Sequence, residues 1–196
     1  LAAGVGLGAY LARGRSPLRS VVEMAVTLPL VFPPIAIGFA LLMLLGRRSL
    51  AGGWLLDTWG VEIVFSFWGV VTASFVAGLP LVVRPVQSAI RSLPERLTEA
   101  ALVLGKTPAQ AFFLVVLPNV RRTLAAGMIL ALGRSLGEVG ITMMLGGNII
   151  GRTNTLSLKI YNAVSTGEFE SAVWLSCLLG AASSCRNRKS LYWYGP

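Results

Sequence analysis

The sequence predicts an all-α membrane protein, built as a polytopic bundle of transmembrane helices. Hydrophobic residues make up 55% of the 196 residues and charged residues only 13%, a composition outside the usual range of soluble domains. Three stretches are apolar over about 20 residues, the length of helix that crosses a bilayer core of about 30 Å. A helix satisfies its own backbone hydrogen bonds in that environment, so these stretches predict helical spans.

The three predicted spans are residues 24–45, 63–83 and 123–145. The first two contain no charged residue, and the third contains only Arg134 and Glu138. Proline residues inside the first two spans predict bends, because proline removes a backbone donor where water cannot replace the partner. Such bends serve either helix packing or a transport pathway, and the sequence alone does not separate the two.

Two further apolar runs are too short to span. Residues 1–12 are interpreted as the end of a span whose beginning is missing, so we expect N-terminal spans to be absent from this chain. Residues 172–182 give a helix of about 17 Å at about 1.5 Å per residue, which predicts a shortened last span. The whole chain, residues 1–196, is predicted to be one transmembrane domain.

The distribution of cations predicts the orientation. If the spans alternate in direction, twelve Lys and Arg residues fall on the side of the segment 84–122 and only four fall on the other: Arg47, Arg48, Arg152 and Lys159. The positive-inside rule therefore places residues 84–122 in the cytoplasm of a multi-pass protein of the plasma or inner membrane. The net charge of +9 is explained by topology rather than by a nucleic-acid partner, because no basic stripe is interleaved with aromatic residues.

The composition argues against catalysis by this chain. It contains no histidine and only two cysteines, which excludes Ser-His-Asp and Cys-His catalysis, histidine-containing metal sites and a thiolate zinc site. We therefore predict no catalytic residue, no cofactor and no metal site. Gly105, Lys106 and Thr107 resemble the end of a phosphate-binding loop, but that motif requires glycine at position 100, where Ala100 stands.

A glycine pattern near the N-terminus also imitates a nucleotide-binding motif. Gly4, Gly6 and Ala9 have the spacing of a dinucleotide fingerprint, but no strand precedes them. Small residues in an apolar run favour close helix packing instead.

The predicted cytoplasmic segment has the pattern of a helix, a turn and a second helix. Ser92 and Glu95 have capping-box spacing, Gly105 suits the left-handed end of a helix, and Thr107 with Gln110 suits a second capping box. Within the first helix, Leu97, Ala101 and Leu104 are predicted to form a narrow apolar stripe for a partner.

This segment resembles the EAA loop of ABC importer permeases. The matching positions are Glu99, Ala100, Ala101, Gly105, Leu117 and Pro118. Val115 stands where that family usually has isoleucine. Residues 133–140, 146–156 and 160–170 are similar to the molybdate permease branch, and the resemblance covers roughly residues 15–179.

The resemblance implies a non-catalytic permease subunit of an ATP-driven molybdate importer. Such a subunit pairs with a second copy, rests on a separate ATP-binding subunit that hydrolyses ATP, and receives its oxyanion from an external binding protein. The resemblance assigns docking on the ATP-binding subunit to the six matched positions. Tungstate or sulfate/thiosulfate import is the alternative, and a proton-coupled carrier or membrane enzyme using Arg134 and Glu138 is the alternative of another class.

Several residues in and after the third predicted span could have either a structural role or a role in the transport pathway. Arg134 and Glu138 are four residues apart and lie on one helix face, where they either neutralise each other or attract an oxyanion. Gly146, Gly147 and Asn148 form either a span-ending turn or a nest of backbone amides that passes an anion. Gly133, Gly137 and Gly140 suit a helix seam as well as a pathway lining.

Residues 183–196 depart from the family pattern because they are polar, basic and aromatic. They are either a surface segment after a shortened helix or an aberrant ending. We expect them to lie outside the membrane core with little ordered packing, since burying three unpaired cations is costly.

Overall fold

The computed structural model describes residues 2–14 and 16–191, and for residues 182–191 it describes the backbone only. The described chain is helical and contains no strand, as predicted. Its helices are α1 (Ala2–Ala12), α2 (Pro17–Val31), α3 (Pro34–Leu45), α4 (Leu50–Trp59), α5 (Phe67–Ser92), α6 (Glu95–Val103), α7 (Pro108–Ala111), α8 (Leu117–Leu136), α9 (Gly140–Gly146), α10 (Leu156–Ser165) and α11 (Phe169–Leu191), with a π-helical segment, Phe112–Val116, between α7 and α8.

Among the residues that the structure describes, two helices are long and apolar enough to cross a membrane by themselves. One is α5, and the other is the continuous helix Pro108–Leu136 that α7, the π-helical segment and α8 form together. At about 1.5 Å per residue they are about 39 and 44 Å long. The pair α3 and α4 meets the same criterion only when taken together, and it is bent by 56°.

The predicted span 24–45 is not one helix. It is divided at Pro33, where α2 has ended and α3 begins at Pro34. Neither proline has an N–H, and a residue before proline is pushed out of the helical region, so the pair ends one helix and starts the next. Pro33 has φ −56° and ψ 131°. The carbonyl oxygen of Pro33 accepts the first hydrogen bonds of α3, from the amides of Ala36 and Ile37.

The predicted span 123–145 is also wrong in its bounds. The helix that contains its first part begins at Pro108 and ends at Leu136, and α9 starts only at Gly140. The hydropathy pattern misses the break because the intervening residues, 137–139, include two that are apolar or small. The prediction for the second span is closer, since α5 covers most of residues 63–83.

The described residues group into two compact units, of which the first comprises Leu1–Leu30 and Gly78–Leu132. Its core cluster consists of the buried residues Leu11, Val26 and Val83, which come from α1, α2 and α5. A Cβ atom at Gly4 would lie 2.8 Å from Val82 Cγ1, and one at Gly8 would lie 2.9 Å from Val86 Cγ1. The helix-packing interpretation is therefore confirmed for Gly4, whereas a Cβ atom at Gly6 would meet nothing within 4 Å.

The second unit comprises Val31–Ala77 and Gly133–Pro196. Here α3 packs against α9, and α10 packs against α11. A Cβ atom at Gly38 would lie 2.8 Å from Met144 Cβ, so the backbones of α3 and α9 approach closely. Polar residues cap the N-termini of α4 and α10. Ser49 Oγ accepts from the amide of Gly52 at 2.9 Å, and Thr155 Oγ1 accepts from that of Leu158 at 3.3 Å.

The C-terminal helix is longer than its apolar part. Helix α11 runs to Leu191, whereas its apolar part, Phe169–Ala181, is too short to count as a span. Of the predicted tail, 183–196, the backbone to Leu191 is helical and residues 192–196 lie outside the described residues. The predicted lack of packing of this tail stays a prediction.

Candidate functional site: the coupling loop, the charged pair and the turn after α9

The helix, turn and helix that the sequence predicts within residues 84–122, the segment that we call the coupling loop, are present. Gly105 has φ +76°, the left-handed conformation that ends α6. Thr107 Oγ1 accepts from the amide of Gln110 at 3.3 Å, while Gln110 Oε1 accepts from the amide of Thr107 at 3.0 Å. This capping box starts the second helix at Pro108, as the sequence predicts.

The capping box predicted at Ser92 and Glu95 is wrong. Ser92 is the last residue of α5, and its hydroxyl donates to the carbonyl oxygen of Ala89 at 2.9 Å. The residue that precedes α6 is Pro94, which provides no side-chain cap. The long helix α5 continues through the position that the local pattern assigns to a new helix start.

The exposed face of α6 differs from the predicted stripe. Ala101 is buried, with 7% of its surface exposed, whereas Val103 is 87% exposed and Leu104 is 79% exposed. Helix α6 lies against α7 and the π-helical segment, which accounts for the burial of the small Ala101 side chain. The predicted stripe of Leu97, Ala101 and Leu104 is therefore wrong at its centre.

Glu99 and Ala100 are exposed on α6. Arg96, Leu97 and Leu102 of α6 are exposed as well. We call the four exposed residues Glu99, Ala100, Val103 and Leu104 the coupling face. One carboxylate and two large apolar side chains thus lie on α6 or directly after it, and α6 packs with another side against its own chain.

A π-helical segment precedes the last two residues of the matched pattern. The amide of Leu117 donates to the carbonyl oxygen of Phe112, one residue farther back than in an α-helix. Pro118 has no N–H to continue the ladder, and the side-chain amide of Asn119 donates to the carbonyl oxygen of Val115 at 2.7 Å. Leu117 and Pro118 therefore lie where the π-helical segment ends and α8 begins.

Arg134 and Glu138 form an ion pair, which is the first of the two interpretations that the sequence leaves open. Arg134 Nη1 donates to Glu138 Oε2, and Glu138 Oε1 accepts from the amide of Ile141 at 2.8 Å. The side chain of Glu138 is 1% exposed and that of Arg134 is 34% exposed. Both carboxylate oxygens are engaged, so Glu138 neutralises Arg134 and caps the first turn of α9 across the break after Leu136.

The glycines near this break serve different purposes. A Cβ at Gly140 would lie 2.9 Å from Pro34 Cβ, which marks a close approach of α9 to α3, whereas a Cβ at Gly133 would meet nothing within 4 Å. Ser135 Oγ donates to the carbonyl oxygen of Ser74 at 2.7 Å. Within the described chain, only Gly140 of the three predicted seam glycines has a close contact outside its own helix.

The residues after α9 form a turn that ends this short helix. Gly147 has φ +73° and Asn148 has φ +50°, and Gly146 is the last residue of α9. The amide of Gly147 donates to Met143 O at 3.0 Å. The amide of Ile149 is likewise engaged, with Thr153 Oγ1 at 2.9 Å. Because these amides are already used, the geometry favours the turn over an anion-binding nest.

Side-chain amides hold this turn in place. Asn148 Nδ2 donates to Asn162 Oδ1 at 2.8 Å, and Asn154 Nδ2 donates to Asn148 Oδ1 at 2.9 Å. A side chain at Gly147 would meet the ring of Phe65 at 2.5 Å. Gly147 is thus required both for its backbone conformation and for space.

Sequence reasoning missed an ion-pair cluster in the first unit. Arg84 Nη1 donates to Glu23 Oε1 at 2.5 Å, and Arg84 Nη2 donates to Thr27 Oγ1 at 2.6 Å. Arg91 Nη2 lies 3.9 Å from Glu23 Oε2. The cluster ties α2 to the end of α5. The one signal in the sequence is that Glu23 is the first acidic residue of the chain and precedes an uncharged run.

A second missed pair lies in the second unit, outside the predicted spans. Arg47 Nε and Nη2 donate to the two carboxylate oxygens of Glu62 at 2.5 and 2.6 Å. The hydrogen bond from Arg47 holds the pKa of the Glu62 carboxyl below its ordinary range, and the charges of Arg47 and Arg152 act in the same direction. A bidentate pair of this kind fixes the orientation of both side chains.

Comparison with known proteins decides the family. The family model of the inner membrane component of binding-protein-dependent transport systems matches residues 4–182. The chain belongs to this family. The solved structure of a bacterial ABC transporter involved in the import of the acidic polysaccharide alginate matches 99% of this chain and 73% of its own, with a TM-score of 0.66 and 15% identity. That likeness shows the permease fold.

Several similar proteins are named for the substrate that they transport. The chain is 37% identical over 177 residues to the molybdenum transport system permease protein ModB of Azotobacter vinelandii, covering 90% of this chain and 78% of that protein. It is 34% identical over 179 residues to ModB of Escherichia coli (strain K12), with 91% and 78% covered. It is also 35% identical over 171 residues to the chloroplastic sulfate permease 2 of Chlamydomonas reinhardtii, with 87% and 46% covered.

Proposed function

We propose that this chain is the permease subunit of an ATP-driven molybdate importer. The observation that carries the proposal is the similarity to molybdenum permeases over about nine-tenths of the chain. The chain itself binds no nucleotide in this proposal. A partner ATPase supplies the energy, an external binding protein delivers the oxyanion, and a second copy of the permease completes the pathway.

In this proposal residues 84–122 face the cytoplasm, with the coupling loop turned toward the ATPase. The distribution of cations supports that orientation. The exposure of Val103 and Leu104 supports it further, because large apolar side chains on a short loop helix are typical of a helix that inserts into a partner's groove. Ala100 is small enough to let the partner approach the helix backbone.

The accessibility of neighbouring residues provides a test of docking. Cysteine at Ala100 or Val103 should cross-link to an engineered cysteine of the ATPase in the assembled complex. Cysteine at Ala101, one residue away but buried, is the matched control and should react much more slowly. Equal cross-linking at all three positions would contradict docking through the coupling face.

The geometry of the charged pair favours a structural role over a carrier that uses Glu138. Both oxygens of Glu138 are engaged and its side chain is nearly inaccessible. A group that exchanges protons with solvent needs access. In this proposal Arg134 and Glu138 hold the break between α8 and α9 and do not bind the oxyanion.

Sulfate is the second candidate substrate, because a sulfate permease is 35% identical to this chain. Molybdate, tungstate and sulfate are all tetrahedral dianions, so this similarity does not separate them. The deciding experiment is uptake by proteoliposomes that contain the permease, its ATPase and its binding protein. We expect ATP-dependent uptake of molybdate that a tenfold excess of sulfate does not suppress. Preferential sulfate uptake would overturn the substrate, and uptake that persists without ATP but collapses with the proton gradient would overturn the importer class.

A further inference from the structure

An open pocket of about 600 Å³ lies in the second unit, between the end of α3 and the loop that precedes α5. Its charged lining consists of Arg47, Arg48, Arg152 and Glu62. Its apolar lining includes Phe65 and Ile149. By the distribution of cations, Arg47, Arg48 and Arg152 fall on the predicted external side.

The charges in the pocket do not balance. Glu62 is bound by Arg47 through two hydrogen bonds, which neutralises one positive charge. Arg48 and Arg152 take part in no ion pair with any residue that the structure describes, and both side chains are exposed. The pocket therefore has two positive charges in excess, and the charge of Arg152 reaches far enough into it to lower the pKa of Glu62.

The size and lining of the pocket select among anionic occupants. A free tetrahedral oxyanion is much smaller than this volume and has no surface to place against Phe65 and Ile149. A peptide loop with an aspartate or glutamate provides both side-chain methylene groups for the apolar lining and a planar carboxylate for the arginines. Arginine binds that carboxylate with paired hydrogen bonds, which a spherical charge does not match.

We propose that this pocket accepts an acidic loop of the external substrate-binding protein, with a carboxylate of that loop paired to Arg48 and Arg152. The proposal rests on the proposed function, since it assumes a binding-protein-dependent importer. Complementary charge at such a contact speeds association more than it slows dissociation, and salt screens it. The Arg47–Glu62 pair fixes the neighbouring wall of the pocket and is not itself the acceptor.

Charge reversal tests the pocket. The assembled transporter in nanodiscs is titrated with its molybdate-loaded binding protein, and binding is followed at low and high salt. An exposed ion pair contributes little by itself, but charge reversal replaces attraction by repulsion at two positions. The double variant Arg48→Glu/Arg152→Glu should therefore raise the apparent Kd by about tenfold or more at low salt, mainly through slower association. High salt should reduce this difference.

Lys159 provides the matched control. It is exposed, it falls on the same predicted side, and it does not line the pocket. Lys159→Glu should leave the apparent Kd within twofold of the wild type, and basal ATPase activity without the binding protein should be unchanged in both variants. A double variant that also binds within twofold of the wild type would overturn the proposal.

A charge-preserving variant guards against misfolding. Arg152→Lys introduces an amine into the pocket, and Lys159→Arg in the same chain removes the nearby amine. A zero-length carbodiimide should then link Lys at position 152 to an Asp or Glu of the binding protein. Absence of that link in a complex that binds the protein normally would also overturn the proposal.

Two further comparisons, of lipid composition and of the anion loaded on the binding protein, separate this proposal from its alternatives. If the effect of charge reversal occurs only in nanodiscs of anionic phosphatidylglycerol and not in neutral phosphatidylcholine, the pocket binds a lipid headgroup and the proposal is wrong. If the wild-type transporter binds a sulfate-loaded protein instead of the molybdate-loaded one, the proposed substrate is wrong. The pocket is then tested with the sulfate-loaded protein by the same variants.

Discussion

The unequal burial of Arg134 and Glu138 predicts an unequal response to their replacement. Glu138→Ala removes the cap of the Ile141 amide, which is worth about 0.5–2 kcal/mol, and leaves Arg134 without a partner. The side chain of Arg134 is 34% exposed, so its isolation costs less than the about 3–5 kcal/mol of a fully buried pair. We expect a total loss of about 2–4 kcal/mol of unfolding free energy.

The partner substitution should be more damaging. Arg134→Met leaves the Glu138 carboxylate, which is 1% exposed, without its cation in a nonpolar environment, and the cost approaches about 3–5 kcal/mol. Glu138→Gln retains an oxygen to accept from the Ile141 amide and loses only the charge. It should cost about 1 kcal/mol less than Glu138→Ala, which isolates the contribution of the cap.

The double variant Arg134→Met/Glu138→Gln completes a double-mutant cycle with the two single variants. It removes both charges and keeps the acceptor for the Ile141 amide. It should be more stable than Arg134→Met alone. SDS-induced unfolding followed by tryptophan fluorescence gives the free energies, and molybdate uptake by the assembled transporter gives the function. The reasoning is refuted if Arg134→Met is no less stable than Glu138→Gln. Loss of uptake in a double variant of wild-type stability would show that Arg134 acts in the pathway.

Three further predictions concern separate parts of the chain. Gly8→Ala should lower stability by about 1–2 kcal/mol, because the added methyl group overpacks the contact between α1 and α5. Gly6→Ala should raise stability by up to about 1 kcal/mol, because nothing lies within 4 Å of the added Cβ. Thermal unfolding of both variants checks this contrast. Thr107→Ala should lower stability by about 1 kcal/mol and speed proteolysis of the coupling loop, and Thr107→Ser should do neither. In the folded protein, Arg47 lowers the pKa of Glu62. The ion pair therefore stabilises the fold fully above the unfolded pKa of Glu62, about 4.3. This stabilisation is lost as the pH falls through the lower folded pKa. The melting difference between wild type and Glu62→Gln should therefore be largest near pH 7 and vanish near pH 3.

Local signals located the coupling loop well. Gly105, Thr107 and Gln110 act through conformation and hydrogen bonds within three residues, so their spacing is sufficient to predict them. The signal at Ser92 had the same form and was wrong, because α5 extends through that position. A local pattern cannot reveal that a preceding helix continues.

Hydropathy located apolar segments but not helices. An apolar count treats residues 24–45 and 123–145 as uninterrupted, whereas Pro33 divides the first and the residues after Leu136 divide the second. Proline carries a visible signal for such a break. The second break depends on the Glu138 carboxylate, which caps α9 by accepting from the amide of Ile141. The sequence shows at this position only a charged residue in an apolar run.

The sequence by itself determined the membrane class, the helical composition, the coupling loop and the Arg134–Glu138 pair, because each depends on composition or on residues within about one helical turn. Only the tertiary structure decided that Ala101 is buried and Val103 exposed, since this depends on which side of α6 meets the next helix. The tertiary structure also brought Glu23 to Arg84, 61 residues away, and Arg47 to Glu62, 15 residues away. Such contacts have no fixed spacing, because they form only when packed helices bring distant segments together.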